Sequence, residues 1–131
     1  SHISSHMGCT SLSDEVRTMT KRLAKEYKID IDLDELKVQQ VWYDGPSKTA
    51  TDKEQSFIKM LDKLEAGKIY MFLDHPGFYN DELKAIHHIG YENVAEDRQG
   101  VTDLFTSEKV KKAIKERKIE IISYKDLLIK K

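Results

Sequence analysis

Lys68-Ile69-Tyr70-Met71-Phe72-Leu73-Asp74-His75-Pro76-Gly77 is the stretch around which the chain reads. Ile69 to Leu73 is an unbroken run of apolar and aromatic residues rich in β-formers, too short for a core helix. It does not alternate with polar residues, so both faces are expected to be covered, as in a parallel sheet. Where the run stops, Asp74 and His75 appear, and Pro76-Gly77 turns the chain. In α/β sheets and barrels, ligands bind at the carboxyl ends of the strands. An Asp-His pair placed there is the best functional clue in the sequence. A solvated turn is the plain alternative.

Working outward, Leu36 to Tyr43 with Asp44-Gly45-Pro46 has the same form, a strand closed by a turn, and puts Asp44 at a second strand end. Between the two strands, Phe57, Ile58, Leu61 and Leu64 mark one helix face, with Thr51 or Asp52 as its cap and Gly67 as its stop. Upstream, Val16, Met19, Leu23, Ala24 and Tyr27 predict a helix over about 14–27, opened by Ser11 with Asp14. The alternating acidic run 29–34 reads as a loop. Downstream, Asn80 or Asp81 opens a short helix to His87, and Gly90-Tyr91 ends it. Asn93 with Glu96 opens a helix to about Phe105. Gly100 inside that helix predicts close packing, since glycine there costs about 1 kcal/mol against alanine. Ser107 caps a helix 108–117, 119–122 is a last strand, and Ser123 with Asp126 starts a final helix carrying Leu127, Leu128 and Ile129.

Strands alternating with helices predict parallel βα units with right-handed crossovers. Three or four strands make either half of a distorted eight-stranded barrel of the TIM type or a small open parallel sheet. The 131 residues are enough for one domain with a core.

Composition narrows the partners. Charged residues are 34% of the chain and the formal net charge is −1, which argues against nucleic acid as a partner. The basic tract Lys109 to Lys118 shares its helix with Val110, Ala113 and Ile114 and reads as a solvated face. One cysteine, Cys9, rules out an intrachain disulfide and a cysteine-cluster zinc site. No apolar run approaches the roughly 18 residues of a membrane span, and no signal-peptide core is present. No glycine-rich loop joins a strand to a helix start, so a phosphate-binding domain is disfavoured. Residues 1–7 have the composition a cleaved affinity tag leaves behind, with native sequence as the alternative.

Three segments carry a resemblance. Leu73-Asp74-His75-Pro76-Gly77 is similar to the strand-end His-Pro-Gly motif of the YdjC-like carbohydrate deacetylases, the family that includes chitooligosaccharide deacetylase. Ala95-Glu96-Asp97-Arg98, Leu104 to Ser107 and Ile119 to Tyr124 resemble that family's C-terminal pattern. Ser1-His2-Ile3-Ser4-Ser5-His6 resembles its mid-chain Thr-His-Ile-Asp-Ser-His segment, with Ser4 where the aspartate is expected. The resemblance implies a distorted (β/α) barrel and a divalent metal, zinc or magnesium, that activates water to hydrolyse the N-acetyl group of an amino-sugar oligosaccharide. It matches His6 to a metal ligand, His2 to a position behind the ligands, and His75, with Asp74, to acid/base or substrate-positioning work. Arg98 matches a helix arginine and is a further candidate for binding substrate, with a structural role as its alternative. Trp42, Tyr43 and Asp44, at the other strand end, are candidates for binding the sugar, with core packing and turn formation as their alternatives.

The family's opening Ala-Asp-Asp strand end, which supplies the metal aspartate and the base, has no counterpart here, nor does a further histidine strand. The chain is therefore expected to be the C-terminal portion of a longer enzyme, to bind metal weakly, and to be inactive alone. A non-catalytic module that pairs its exposed edges into a homodimer is the competing expectation. His87 and His88, about 100° apart on a helix, are not expected to share a metal. One is expected in solvent and one beneath the Asp74–Gly77 turn.

Overall fold

The computed structural model describes residues 1–128, and Leu128 by its backbone alone. Two compact units divide the chain, one of Ser1–Lys37 with the segment from Ile121, the other Val38–Glu120.

The second unit holds the sheet. β1 (Gln39–Val41) and β2 (Tyr70–Phe72) pair in parallel, with Gln39 opposite Tyr70 and Val41 opposite Phe72. The parallel pairing follows the expected βα connection, through α2 (Ala50–Leu61). Thr49, rather than Thr51 or Asp52, occupies the cap. Its hydroxyl accepts the Asp52 N–H while the Asp52 carboxylate accepts the Thr49 N–H, a complete capping box. α2 ends at Leu61, six residues before Gly67, which lies in the following turn at φ 79°.

α3 (Asp81–Lys84) is capped by Asn80, and the helix stops well short of His87. α4 (Val94–Thr106) and α5 (Glu108–Glu116) meet at Ser107, whose hydroxyl accepts the Val110 N–H and donates to Glu54. Phe57, Met60, Leu61, Leu104, Val110 and Ala113 form the core. Phe72 of β2 sits edge-on to Tyr43, Phe57 and Phe105, with centroids 5.0, 4.9 and 6.2 Å away. A methyl group at Gly100 would lie 3.4 Å from both Cα and N of Ala50, so glycine lets α4 close onto the start of α2.

Two further expectations fail here. β2 is half-buried rather than covered on both faces, and Leu73 is exposed. Residues 119–122 form no strand: the chain leaves α5 through Lys118 at φ 54°, Ile119 N–H bonds back to the Ile114 carbonyl, and Ile119 packs on the core. A strand needs a ladder partner, and among the described residues β1 and β2 pair only with each other. The unit is thus α/β with a two-stranded parallel sheet.

The first unit holds α1 (Asp14–Glu26), capped by Ser13 rather than Ser11. Ahead of it, His6–Ser11 forms 3₁₀ turns interrupted by Met7 and Gly8 at positive φ. The His2 ring stacks on Tyr124 at 3.5 Å between centroids. Ser123 and Asp126 form the expected cap pairing, opening a 3₁₀ turn Asp126–Leu128, while Ile129 lies outside the described residues.

Candidate functional site

Parallel strands end on the same side, and both strand ends bear a carboxylate. Val41 and Phe72 are the last paired residues, and Tyr43 and Asp74 each follow two positions later. The Tyr43 hydroxyl donates to Asp74 Oδ2 at 2.7 Å. Asp74 Oδ1 accepts the His75 main-chain N–H at 2.8 Å. Burial first, then the bond to Asp74, pushes the Tyr43 hydroxyl far above the usual phenol range, so it remains a donor throughout the physiological range.

The turn after Asp74 is pinned to α4. Gly77 N–H donates to the Thr102 hydroxyl at 3.0 Å and to the Arg98 carbonyl at 3.1 Å, and the Thr102 hydroxyl donates to the Gly77 carbonyl at 2.8 Å. Two residues on, Tyr79 N–H donates to Gln99 Oε1 at 2.8 Å. Gly77 is needed for the close approach: a Cβ there would stand 2.8 Å from Leu83 Cδ2 and 3.1 Å from Arg98 Cβ. His75 itself is exposed, so the imidazole is presented to solvent on a backbone held from two sides.

Beneath this turn lies a polar cluster. Lys53 is buried at 3% exposure, and its ammonium is 2.8 Å from Asp97 and 5.2 Å from the Tyr43 ring centroid. The Tyr91 hydroxyl donates to the other Asp97 oxygen at 2.6 Å. Burial works to raise the Asp97 carboxyl, but Lys53 and Tyr91 outweigh it and hold the group below the usual carboxylate range. Arg98 Nε is buried and has no hydrogen-bond partner among the described residues.

The expected site residues therefore separate into groups. Asp74, His75, Tyr43 and Arg98 meet at the turn. Asp44 is engaged elsewhere, 2.7 Å from Lys63 and 3.4 Å from Lys59 on α2, and the Lys63 hydrogen bond holds its carboxyl below the ordinary range. Trp42 is 61% exposed. Trp42, Tyr43 and Asp44 line a shallow depression of about 350 Å³ with Met60, Lys63 and Tyr70, a surface that does not include the His75 turn. His6 is exposed and belongs to the first unit. His87 and His88 are both exposed and lie beyond the end of α3, which corrects the expected placement of one of them beneath the turn. Among the described residues, no group of three or more His, Cys, Asp or Glu side chains is disposed to hold a metal ion.

The sequence assigns no site role to Lys53, Asp97, Tyr91, Gln99 or Thr102, although Asp97 lies in the family-like segment and Gly90-Tyr91 reads as ending a helix. A signal for Lys53 existed: with Phe57, Met60 and Leu61 it falls at i, i+4, i+7 and i+8, on the buried stripe of α2.

An α/β unit thus carries, just past a parallel strand end, an aspartate beside an exposed histidine whose main-chain N–H it accepts. The chain belongs to the YdjC-like family, whose family model, described as YdjC-like protein, matches residues 1–116. The match includes the histidine-bearing segment 1–6 as well as the His75 turn. No curated protein matches the chain. Membership associates the chain, at the level of the family, with carbohydrate deacetylation and so with hydrolase chemistry.

Proposed function

We propose that this chain is the His75-bearing, C-terminal portion of a metal-dependent carbohydrate N-deacetylase of partial-barrel architecture, and that alone it does not turn over substrate. The observation that carries the proposal is the turn: a main chain fixed by Asp74, Arg98, Gln99 and Thr102 presents the imidazole of His75 without burying it. Hydrolysis of an N-acetyl group adds water to the carbonyl carbon and then breaks the C–N bond, releasing acetate and a free amine. The leaving nitrogen needs a proton as that bond breaks. In this reading the protonated His75 ring donates it, and Asp74 holds His75 in place.

The family resemblance implies zinc or magnesium. The described side chains do not assemble a site for it. In the proposal His6 is one donor, the remaining ligands come from sequence outside this chain, and the isolated chain binds the metal weakly. Of the substrate-binding candidates, Trp42 offers an exposed indole for a sugar ring, with Asp44 along the same depression and Arg98 at the turn.

The test is an NMR titration of the ¹⁵N-labelled chain with di-N-acetylchitobiose and, separately, cellobiose. The acetylated sugar is expected to shift resonances of the His75 turn and the Trp42 indole, and cellobiose is expected to act less. A flat or identical response to both sugars refutes the substrate class. Acetate release by the 131-residue chain, expected to be absent, refutes the fragment reading if it is found.

A second reading, a non-catalytic module that self-associates, draws on the exposed side chains of Trp42 (61%), Phe78 (71%) and Ile89 (99%). Light scattering after size exclusion, with and without zinc, separates the two. A zinc-indifferent dimer blind to amino sugars favours the module.

A further inference from the structure

We propose that Tyr43 is a positioning residue, whose hydroxyl fixes the Asp74 carboxylate and, through it, the main chain that carries His75. The inference rests on the reading of His75 as the acid/base group. Both oxygens of Asp74 are engaged, Oδ2 by the Tyr43 hydroxyl at 2.7 Å and Oδ1 by the His75 N–H at 2.8 Å. The carboxylate therefore acts as a two-ended bracket between the segment that follows β1 and the turn. Among the described residues, the Tyr43 hydroxyl is the hydrogen bond that ties this side chain to that segment.

Tyr43 is itself immobilised. Its ring stands edge-on to Phe72 at an interplanar angle of 82°, and the Lys53 ammonium lies 5.2 Å from its centroid. Lys53 is held in turn by Asp97. A continuous line of contacts thus runs from α4 through α2 and Tyr43 to the turn, beside the direct bonds that α4 makes to Gly77 and Tyr79. Each line fixes a different part of the loop: Tyr43 sets His75, and α4 sets Gly77 and Tyr79.

The experiment compares Tyr43→Phe, which removes one oxygen, with Tyr43→Leu, which removes the ring. Amide hydrogen exchange is followed by NMR on the whole chain without sugar. Tyr43→Phe is expected to shift the His75 amide resonance and speed its exchange about tenfold, the effect of losing the donor to a charged bracket. The Gly77 and Tyr79 amides and the urea midpoint are expected to stay near their wild-type values. A His75 amide unchanged in Tyr43→Phe, with the whole effect appearing only in Tyr43→Leu, overturns the proposal and makes Tyr43 a core ring. Because no sugar enters this measurement, a flat sugar titration defeats the deacetylase reading without touching the bracket. An unchanged His75 amide defeats the bracket alone.

Discussion

Replacing Lys53 with methionine isolates the buried ion pair below the turn. Methionine keeps an unbranched stem of similar length, so the packing against Gly100, where a Cβ would lie 3.4 Å from Lys53 Cδ, is largely preserved. What is lost is the 2.8 Å contact to Asp97 and the cation over the Tyr43 ring. Breaking a fully buried pair from one side costs roughly 3–5 kcal/mol, because the remaining charge is stranded. Asp97 is less isolated than that limit: its side chain keeps 22% exposure and the hydrogen bond from Tyr91. Together with a cation–π contribution of about 0.5–1 kcal/mol, the expected loss is about 2–3 kcal/mol. For a chain of this size that lowers Tm by roughly 10 °C. Urea unfolding followed by far-ultraviolet circular dichroism measures it, in a cycle with Asp97→Asn and the double variant. The two single losses should overlap, leaving a coupling of at least about 1 kcal/mol. A Lys53→Met loss under about 0.5 kcal/mol, or strict additivity, refutes the claim that this pair organises the unit.

Acid should destabilise the chain in a defined direction. Asp97, Asp44, Asp32 and Glu54 are all held below their ordinary carboxyl range, so they release protons more readily folded than unfolded. Their contribution is complete above the unfolded carboxylate range and is lost as pH falls through the folded values. Urea midpoints are therefore expected to drop below about pH 4, and the drop should be shallower in Lys53→Met; a midpoint flat to pH 2.5 contradicts this. Gly77→Ala should cost about 1–2 kcal/mol by pressing a methyl on Leu83 and Arg98, and should loosen the Gly77 and Tyr79 amides in hydrogen exchange. Thr49→Ala removes half of the capping box on α2 and should cost about 1 kcal/mol in urea unfolding, against near zero for Thr51→Ala.

The organising strand was legible because five apolar residues ending at Asp-His-Pro-Gly admit few other readings. The parallel pairing followed from the helix between Tyr43 and Ile69. Cap positions slipped by two or three residues, at Thr49 and Ser13, because serines, threonines and aspartates crowd both helix starts and local pattern does not choose among them. The strand expected over 119–122 failed for a different reason. β-propensity describes a residue's fit to a ladder, and no other strand presents one to it among the described residues. At the candidate site, Asp74 and His75 were visible as chemistry out of place at a strand end. Thr102 and Gln99 were invisible because they act on main-chain atoms 25 and 20 residues away. Only the three-dimensional path of the loop reveals that kind of contact.

Nearly every bond that shapes the His75 turn ends on its main chain: the N–H groups of His75, Gly77 and Tyr79 and the carbonyl of Gly77. Apart from Asp74 and the missing side chain of Gly77, the loop's form makes few demands on what its residues display. Phe78 is 71% exposed, whereas the neighbouring Tyr79 carries the Lys84 ammonium 4.3 Å from its ring centroid. The scaffold therefore works like a tool holder with an interchangeable tip. Substitutions at Phe78 are expected to change the surface beside His75 at little cost to the fold.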